Sequence, residues 1–203
     1  MSATVQETCE CGTIGAQAEI RQCSHFHYFY GDRRLASVGS VIRELVPTDY
    51  SMVDPAVLEN ALNRGKFVDK YLGMYVRGET FTITDARPIE YDNYLDRVID
   101  WWNRVNIGVI ETQRLAYSLD DGICGAMDFR VIDGVMDMKC VSSLQPSYAL
   151  QLGAYAEYEC VDKAFILHVT KNRIQLVPYD AAKCRQQWRN GLAWLRTLKE
   201  LKA

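Results

Sequence analysis

The sequence predicts a mixed α/β (α+β) layer fold, and three observations carry that expectation. Helical patterning dominates residues 54–105, and three β-prone runs separated by turn signals fill residues 108–143. A helix, two strands and a last long helix follow, an order that suits a mixed sheet flanked by helices. The chain has 203 residues, 48% hydrophobic and 24% charged, enough for one domain with a substantial core. That domain is expected over residues 23–203, with the small and polar residues 1–22 as an N-terminal tail or small appendage.

Each element has a local reason. CSHFHYFY (23–30) alternates polar and apolar residues as a strand does, GDRR turns the chain, and LASVGSVIREL (35–45) passes from strand to short helix. Asp54-Pro55 reads as an N-cap with proline at the first helical position. The helix that follows would present Ala56, Leu62, Phe67, Tyr71 and Met74 as one apolar face. PIEYDNYLDRVIDWWNRV (88–105) is a second helix, with Tyr94, Val98, Trp101 and Trp102 toward the core. The runs GVIETQRLAYSL, ICGAMDFRVI and VMDMKCVSS are strands divided by DDG and DG turns. Pro146 ends the third, SYALQLGAYAEYECV is a helix, and KAFILHVT and IQLVPY are strands around a turn at Lys171-Asn172. From Ala181 a long amphipathic helix carries Trp188, Leu192, Leu195 and Leu198.

Several function classes are disfavoured. No run approaches the roughly 18 apolar residues of a membrane span, so no membrane partner is expected. The N-terminus lacks a secretory layout, and seven scattered cysteines suit a reducing cytosol, so a cytoplasmic location is expected. A net charge of −3 gives no global basic footprint, although bound cations can reverse the field locally.

The chemistry concentrates in CGAMDFRVIDGVMDMKC (124–140). A two-residue turn at Asp133-Gly134 would set Ile132 across from Val135, Arg130 across from Asp137 and Asp128 across from Lys139. All four polar groups then share one face, and Phe129, Val131, Met136 and Met138 take the other. Two readings are open. One is a solvated face with two cross-strand ion pairs, each contributing under about 1 kcal/mol. The other is a pair of carboxylates converging on a divalent cation, with an ammonium beside them to orient or activate an attacking water.

The neighbourhood bears on the choice. Glu111 in the preceding strand would add a carboxylate, and Gln151 and Tyr155 lie four apart on one helical face. Gly125-Ala-Met-Asp128, Asp137-Met-Lys139 and Gln151-Leu-Gly-Ala-Tyr155 together resemble the motifs of the PD-(D/E)XK nuclease superfamily. They are most similar to the branch of RecB-type domains, Cas4-like proteins and phage or mitochondrial exonucleases. HFHYFYGDRRLASVGSVI resembles that branch's entry segment with Ala36 in place of proline, and LENALNRGKFVDKYL resembles its RGxxxH helix with Asp69 in place of histidine. The similarity spans about residues 24–179.

The resemblance implies a restriction-endonuclease-like αβββαβ core and a divalent-metal-dependent deoxyribonuclease, an exonuclease of recombination, repair or phage DNA processing in a bacterial or phage-infected cell. Mg²⁺ or Mn²⁺ would be held by Asp128, Asp137, Glu111 and the Met138 carbonyl, with Asp69 as a further ligand. Lys139 would activate or position water, and Gln151 and Tyr155 would complete the catalytic group. The implied partner is DNA, as single strands or duplex ends, with a homo-oligomer or recombination and replication proteins as further partners. Arg33, Arg34, Arg64, Lys66, Lys70 and Arg130 are candidate phosphate contacts, and Tyr28, Tyr30 and Tyr148 are available for stacking on bases or for the core. The alternative is a catalytically inactive nuclease-fold module that binds nucleic acid or a partner, prompted by Asp69.

The cysteines point elsewhere. Cys9, Cys11, Cys23, His25 and His27 do not match the usual zinc spacings. The iron–sulfur cluster of some relatives needs three clustered C-terminal cysteines, where this chain has only Cys160 and Cys184. Neither structural zinc nor an iron–sulfur cluster is expected.

Overall fold

The computed structural model describes residues 20–23, 27–84 and 86–202; Cys9, Cys11 and His25, weighed above as soft metal ligands, lie outside them. In chain order the elements are β1 (Ile20–Gln22), β2 (Tyr28–Tyr30), β3 (Arg33–Ser37), α1 (Val38–Leu45), α2 (Pro55–Val76) and α3 (Ile89–Trp102). There follow β4 (Val109–Ser118), β5 (Ile123–Val131), β6 (Gly134–Lys139), α4 (Ser147–Tyr158), β7 (Lys163–Val169), β8 (Ile174–Asp180) and α5 (Ala181–Lys202). Ile20–Gln22 pair with β2, so these three residues belong to the sheet.

One mixed sheet runs β1-β2-β3-β5-β6-β7-β8, and β4 also pairs with β5. The β3–β5 and β6–β7 contacts are parallel and the rest antiparallel. The run from α3 to β7 has the αβββαβ order. Val38, Leu152, Ala156 and Trp188 bring α1, α4 and α5 onto one face, and Val68, Leu72, Leu95 and Val98 bring α2 and α3 onto the other. Asp54 caps α2, its Oδ1 accepting from Ala56 N at 2.8 Å with Pro55 next, as the sequence predicts.

Two expectations change. In α2 the packed face is Val68, Tyr71 and Leu72 with Phe67 and Met74, while Ala56 and Leu62 are exposed, because the first turns of the helix run beyond the sheet. In the hairpin, the turn falls at Ile132-Asp133, with Val131 across from Gly134, Arg130 across from Val135 and Phe129 across from Met136. The expected oppositions of Arg130 with Asp137 and Asp128 with Lys139 are therefore displaced by two residues. The reason lies in β7: a Cβ at Gly134 would stand 2.3 Å from the Lys163 carbonyl oxygen, so the glycine serves strand packing rather than the turn. A shift of two keeps every side chain on its face. Phe129, Val131, Met136 and Met138 accordingly pack together against α2 and α3.

Candidate active site

The site forms where the sheet forks. β4 runs along one edge of β5, so β3 and β6 must share the other. β3 pairs only with Ile123 and Cys124, and β6 only with Phe129–Val131. Residues 125–128 lie in the gap, and side chains take over the hydrogen bonding there. The Tyr28 hydroxyl accepts from Ala126 N at 3.2 Å, and the Tyr155 hydroxyl donates to Ala126 O at 2.7 Å. Asp128 Oδ2 accepts from Met138 N at 2.7 Å. A Cβ on Gly125 would meet Val38 Cγ2 at 2.8 Å and Tyr155 Cε1 at 3.0 Å, so glycine lets α1 and α4 close over the fork. Met127 packs with the α4–α5 layer and Phe129 with the α2–α3 layer, which breaks the alternation of β5 at Asp128.

Continuing the hairpin register places Asp137 across from Asp128. Asp137 is 1% exposed, and its Oδ1 accepts from Gln151 Nε2 at 3.0 Å. Gln151 Nε2 also reaches the Tyr155 hydroxyl at 3.2 Å, so α4 locks both to β6. Asp137 Oδ2 is ion-paired with the Lys139 ammonium but off any hydrogen-bonding direction, and it has no other donor among the described residues. The Lys139 Nζ stands 5.1 Å from the centre of the Tyr148 ring. His168, across from Lys139 on β7, has its Nε2 2.9 Å from Val141 O and ties down the chain just beyond the lysine.

A cavity of about 380 Å³ opens here, lined by Lys66, Asp69, Asp128, Asp137, Lys139 and Tyr148 among others. Asp69 comes from α2, and both its oxygens accept from Gln113 Nε2 at 3.3 Å. Gln113 lies between the paired residues Thr112 and Arg114, and its φ of 54° takes it out of the ladder opposite Asp128. Ala126 and Gln151 also wall a neighbouring cavity of about 550 Å³ that holds Arg34, Arg43, Ser37 and Ser40 at the start of α1. On the other side, Lys66 and Asp69 border a cavity of about 740 Å³ with Lys70 and Arg77.

Electrostatics single out the central cavity. Burial, then Asp137 and Asp69, push the Asp128 carboxyl well above its ordinary range. Burial and Asp137 push Asp69 up to about 6 against the opposing pull of Lys139. Burial lowers the Lys139 pKa, but Asp137 and Asp128 outweigh it, and the net shift is upward. Burial and then Asp137 raise the Tyr155 hydroxyl far above its usual value. Three carboxylates thus face one ammonium, an excess of negative charge that a divalent cation would neutralise. Among the described residues no three or more His, Cys, Asp or Glu side chains close into a cage. The donor set is therefore an open one of hard oxygens, including the donorless Asp137 Oδ2. It fits an ion such as Mg²⁺ or Mn²⁺ that keeps several waters.

The structure gathers Asp69, Asp128, Asp137, Met138, Lys139, Gln151 and Lys66 around one cavity, with Tyr155 behind Gln151. It does not bring Glu111 there. The register shifts between Val109 and Glu111, and the Glu111 carboxylate pairs with Arg114 at 2.7 Å. Arg130 is spent within the fold, donating to Glu159 at 3.1 Å and to Gly134 O at 3.0 Å. Arg64 lies 4.7 Å from the Tyr94 ring centre and donates to Cys140 O at 3.5 Å, while Arg33 donates to Leu119 O at 3.1 Å. Arg34 and Lys66 stay exposed beside the cavities. Sequence reasoning missed Gln113, Arg43, Ser37 and Ser40. The serines and Arg43 follow the entry segment and were within reach of it, whereas the departure of Gln113 from its strand left no signal in the residue order.

No family model matches the chain, and no curated protein matches its sequence. Solved structures similar to it include LHK-Exo in complex with dAMP, at 12% identity and a TM-score of 0.42 over 82% of this chain and 88% of that one. The alkaline exonuclease LHK-Exo from Laribacter hongkongensis gives 10% identity and a TM-score of 0.37 over 83% and 95%. SSO0001 gives 15% identity and a TM-score of 0.35 over 78% and 74%. All three TM-scores are below 0.5, and the functional reading stands on the geometry of the site. No helix among the described residues is long and apolar enough to cross a membrane.

Proposed function

We propose that the protein is a Mg²⁺- or Mn²⁺-dependent deoxyribonuclease of the PD-(D/E)XK superfamily, an exonuclease acting on DNA ends in recombination, repair or phage DNA processing. The observation that carries this reading is Asp137. It is buried, held at one oxygen by Gln151, lacks a hydrogen-bond donor at the other, and stands across the fork from Asp128 and beside Lys139.

Asp128 and Asp137 would hold the cation, with Asp69 at the rim and the Met138 carbonyl as a further oxygen. When bound, the ion would neutralise the phosphate and favour ionisation of an attacking water. Lys139 is kept protonated by its acidic neighbours, so it acts as a donor that orients the nucleophile and stabilises negative charge on the phosphate, rather than as a base. Gln151 fixes the Asp137 carboxylate, and Tyr155 fixes Gln151 and β5 together. Arg34 and Arg43 in the cavity beside α1 supply positive charge for a neighbouring phosphate of the same strand.

The test compares cleavage of end-labelled DNA by wild type, Asp137→Asn and Lys139→Ala with Mn²⁺ and with Mg²⁺, after thermal melts show the variants folded. Wild-type cleavage with loss in both variants is the expected result. Unchanged cleavage by both would sink the mechanism, and wild-type binding without cleavage would favour the inactive module.

A further inference from the structure

Six of the twelve strongly exposed large apolar side chains among the described residues fall between positions 46 and 62. They sit on the α1–α2 connection and the first turns of α2, beside the candidate active site. Tyr50 is 52% exposed, Met52 95% and Leu62 55%, and Leu62 lines the central cavity together with Tyr148. Burial raises the Tyr148 hydroxyl pKa, Lys139 pulls it back and Tyr50 adds to it, which puts Tyr50 beside the same cavity.

The connection is built to display these groups. Its polar atoms turn inward on its own backbone: Asp49 Oδ1 accepts from Ser51 N at 2.8 Å, and Val53 N donates to Tyr50 O at 2.9 Å. The apolar side chains are left outside. Exposed apolar surface next to a polar cavity marks a contact site, and its charge says what it contacts. Residues 46–62 contain no lysine or arginine but carry Asp49, Asp54 and Glu59. Such a surface repels a phosphate backbone, and a duplex presents phosphates on its outside. The flat faces of unpaired bases are what it suits, since stacking on aromatic and thioether groups needs no charge.

Resting on the nuclease reading above, we propose that Tyr50, Met52, Leu62 and Tyr148 form a platform that stacks unpaired nucleobases next to the scissile phosphate and selects single-stranded DNA. The phosphates then follow the opposite side, along Arg34, Arg43 and Lys66, so bases and backbone are sorted by the charge of the two walls.

The experiment uses the full chain in Ca²⁺ and measures anisotropy of two labelled single strands of equal length, one normal and one abasic at its terminal nucleotides. Wild type should bind the normal strand roughly tenfold more tightly, the scale of one stacked base. The Tyr50→Ser/Met52→Ser protein, whose residues lie outside the buried core, should bind both strands as wild type binds the abasic one. Equal binding of both strands by wild type, or a base preference retained by the variant, overturns the platform. So does a wild-type dimer that the variant loses while keeping the preference, which would make this a self-association face. Cleavage with Mn²⁺ run in parallel separates the two proposals: a wild type that cuts but shows no base preference loses the platform alone, and a wild type that never cuts loses the nuclease reading.

Discussion

Two ionic clusters lie a few residues apart on β5 and differ in one respect. Arg114 and Arg130 meet Glu111 and Glu159, two cations against two anions, with contacts of 2.7, 2.9 and 3.1 Å. Asp69, Asp128 and Asp137 face Lys139 alone. The first cluster is balanced and closes on itself, pinning the C-terminal end of α4 to β4 and β5. The second is unbalanced, and its charges raise the pKa of Asp128 and Asp69 instead of satisfying them. A folded protein can keep like charges together only at a cost, and such sites are enriched in function. Charge balance, rather than the number of charged groups, separates the scaffold from the candidate site.

The largest expected effect comes from breaking the unbalanced cluster. Asp137→Asn should lower the cleavage rate about 10³-fold and leave metal-free stability unchanged or higher, because it removes a like charge from a buried group. Wild type should melt higher with saturating Mg²⁺, by about 2.7 kcal/mol of stabilisation at 100 times the dissociation constant, and the variant should not. Calorimetric melts with and without chelator read both. A variant that lost stability without losing activity would reverse the roles assigned to the clusters.

Breaking the balanced cluster should do the opposite. Glu159→Gln leaves Arg130, whose side chain is 15% exposed, without a carboxylate. The cost should be about 2–3 kcal/mol, below the range for a fully buried pair. That corresponds to a fall in melting temperature of roughly 5–10 °C, with kcat held within about twofold below the transition, since removing a scaffold pair leaves the reacting groups in place. Urea unfolding and a rate assay on the same preparation check it.

These clusters also mark what was legible in the sequence. Asp128, Asp137, Lys139, Gln151 and Tyr155 were readable because strand and helix periodicity assign faces, and faces survive a register shift of two. Their partners across the hairpin were not, because the packing of Gly134 on the Lys163 main chain, a contact 29 residues away, decides where the turn falls. Arg130 finds Glu159 at the same separation, and nothing between them signals it. The mixed sheet followed from element order, but its fork depends on β3 and β6 sharing an edge of β5. Only the assembled sheet brings Tyr28 and Tyr155 to Ala126.

Acidity sharpens the comparison further. The Asp69 carboxyl stands at about 6 in the folded protein, chiefly through burial and Asp137, and an unfolded aspartate titrates near about 3.9. The folded state then binds the proton more tightly, so metal-free stability is greatest below the lower value and falls as pH rises through the interval to about 6. The fall attributable to Asp69 should be on the order of 1–2 kcal/mol, after allowing for partial solvent screening. Asp69→Asn should abolish that part of the slope in chelator, and saturating Mg²⁺ should flatten it in wild type. A slope unchanged by the substitution would mean that Asp69 does not share the field of Asp137.

The smallest effect is the most pointed, because it separates sequence expectation from structure at one residue. The motif order made Glu111 a candidate metal ligand, whereas the fold turns it to Arg114, with the glutamate side chain 49% exposed. Exposed ion pairs contribute about 0.2–1 kcal/mol, and Arg114 keeps its second carboxylate at Glu159. Glu111→Gln should therefore cost under about 1 kcal/mol and leave both the Mg²⁺-induced stabilisation and the cleavage rate within about twofold of wild type, because a group outside the reacting set contributes little to the transition state. A loss comparable to that of Asp137→Asn would move Glu111 into the unbalanced cluster. It would require Arg114 to release it when a cation and a strand of DNA are bound.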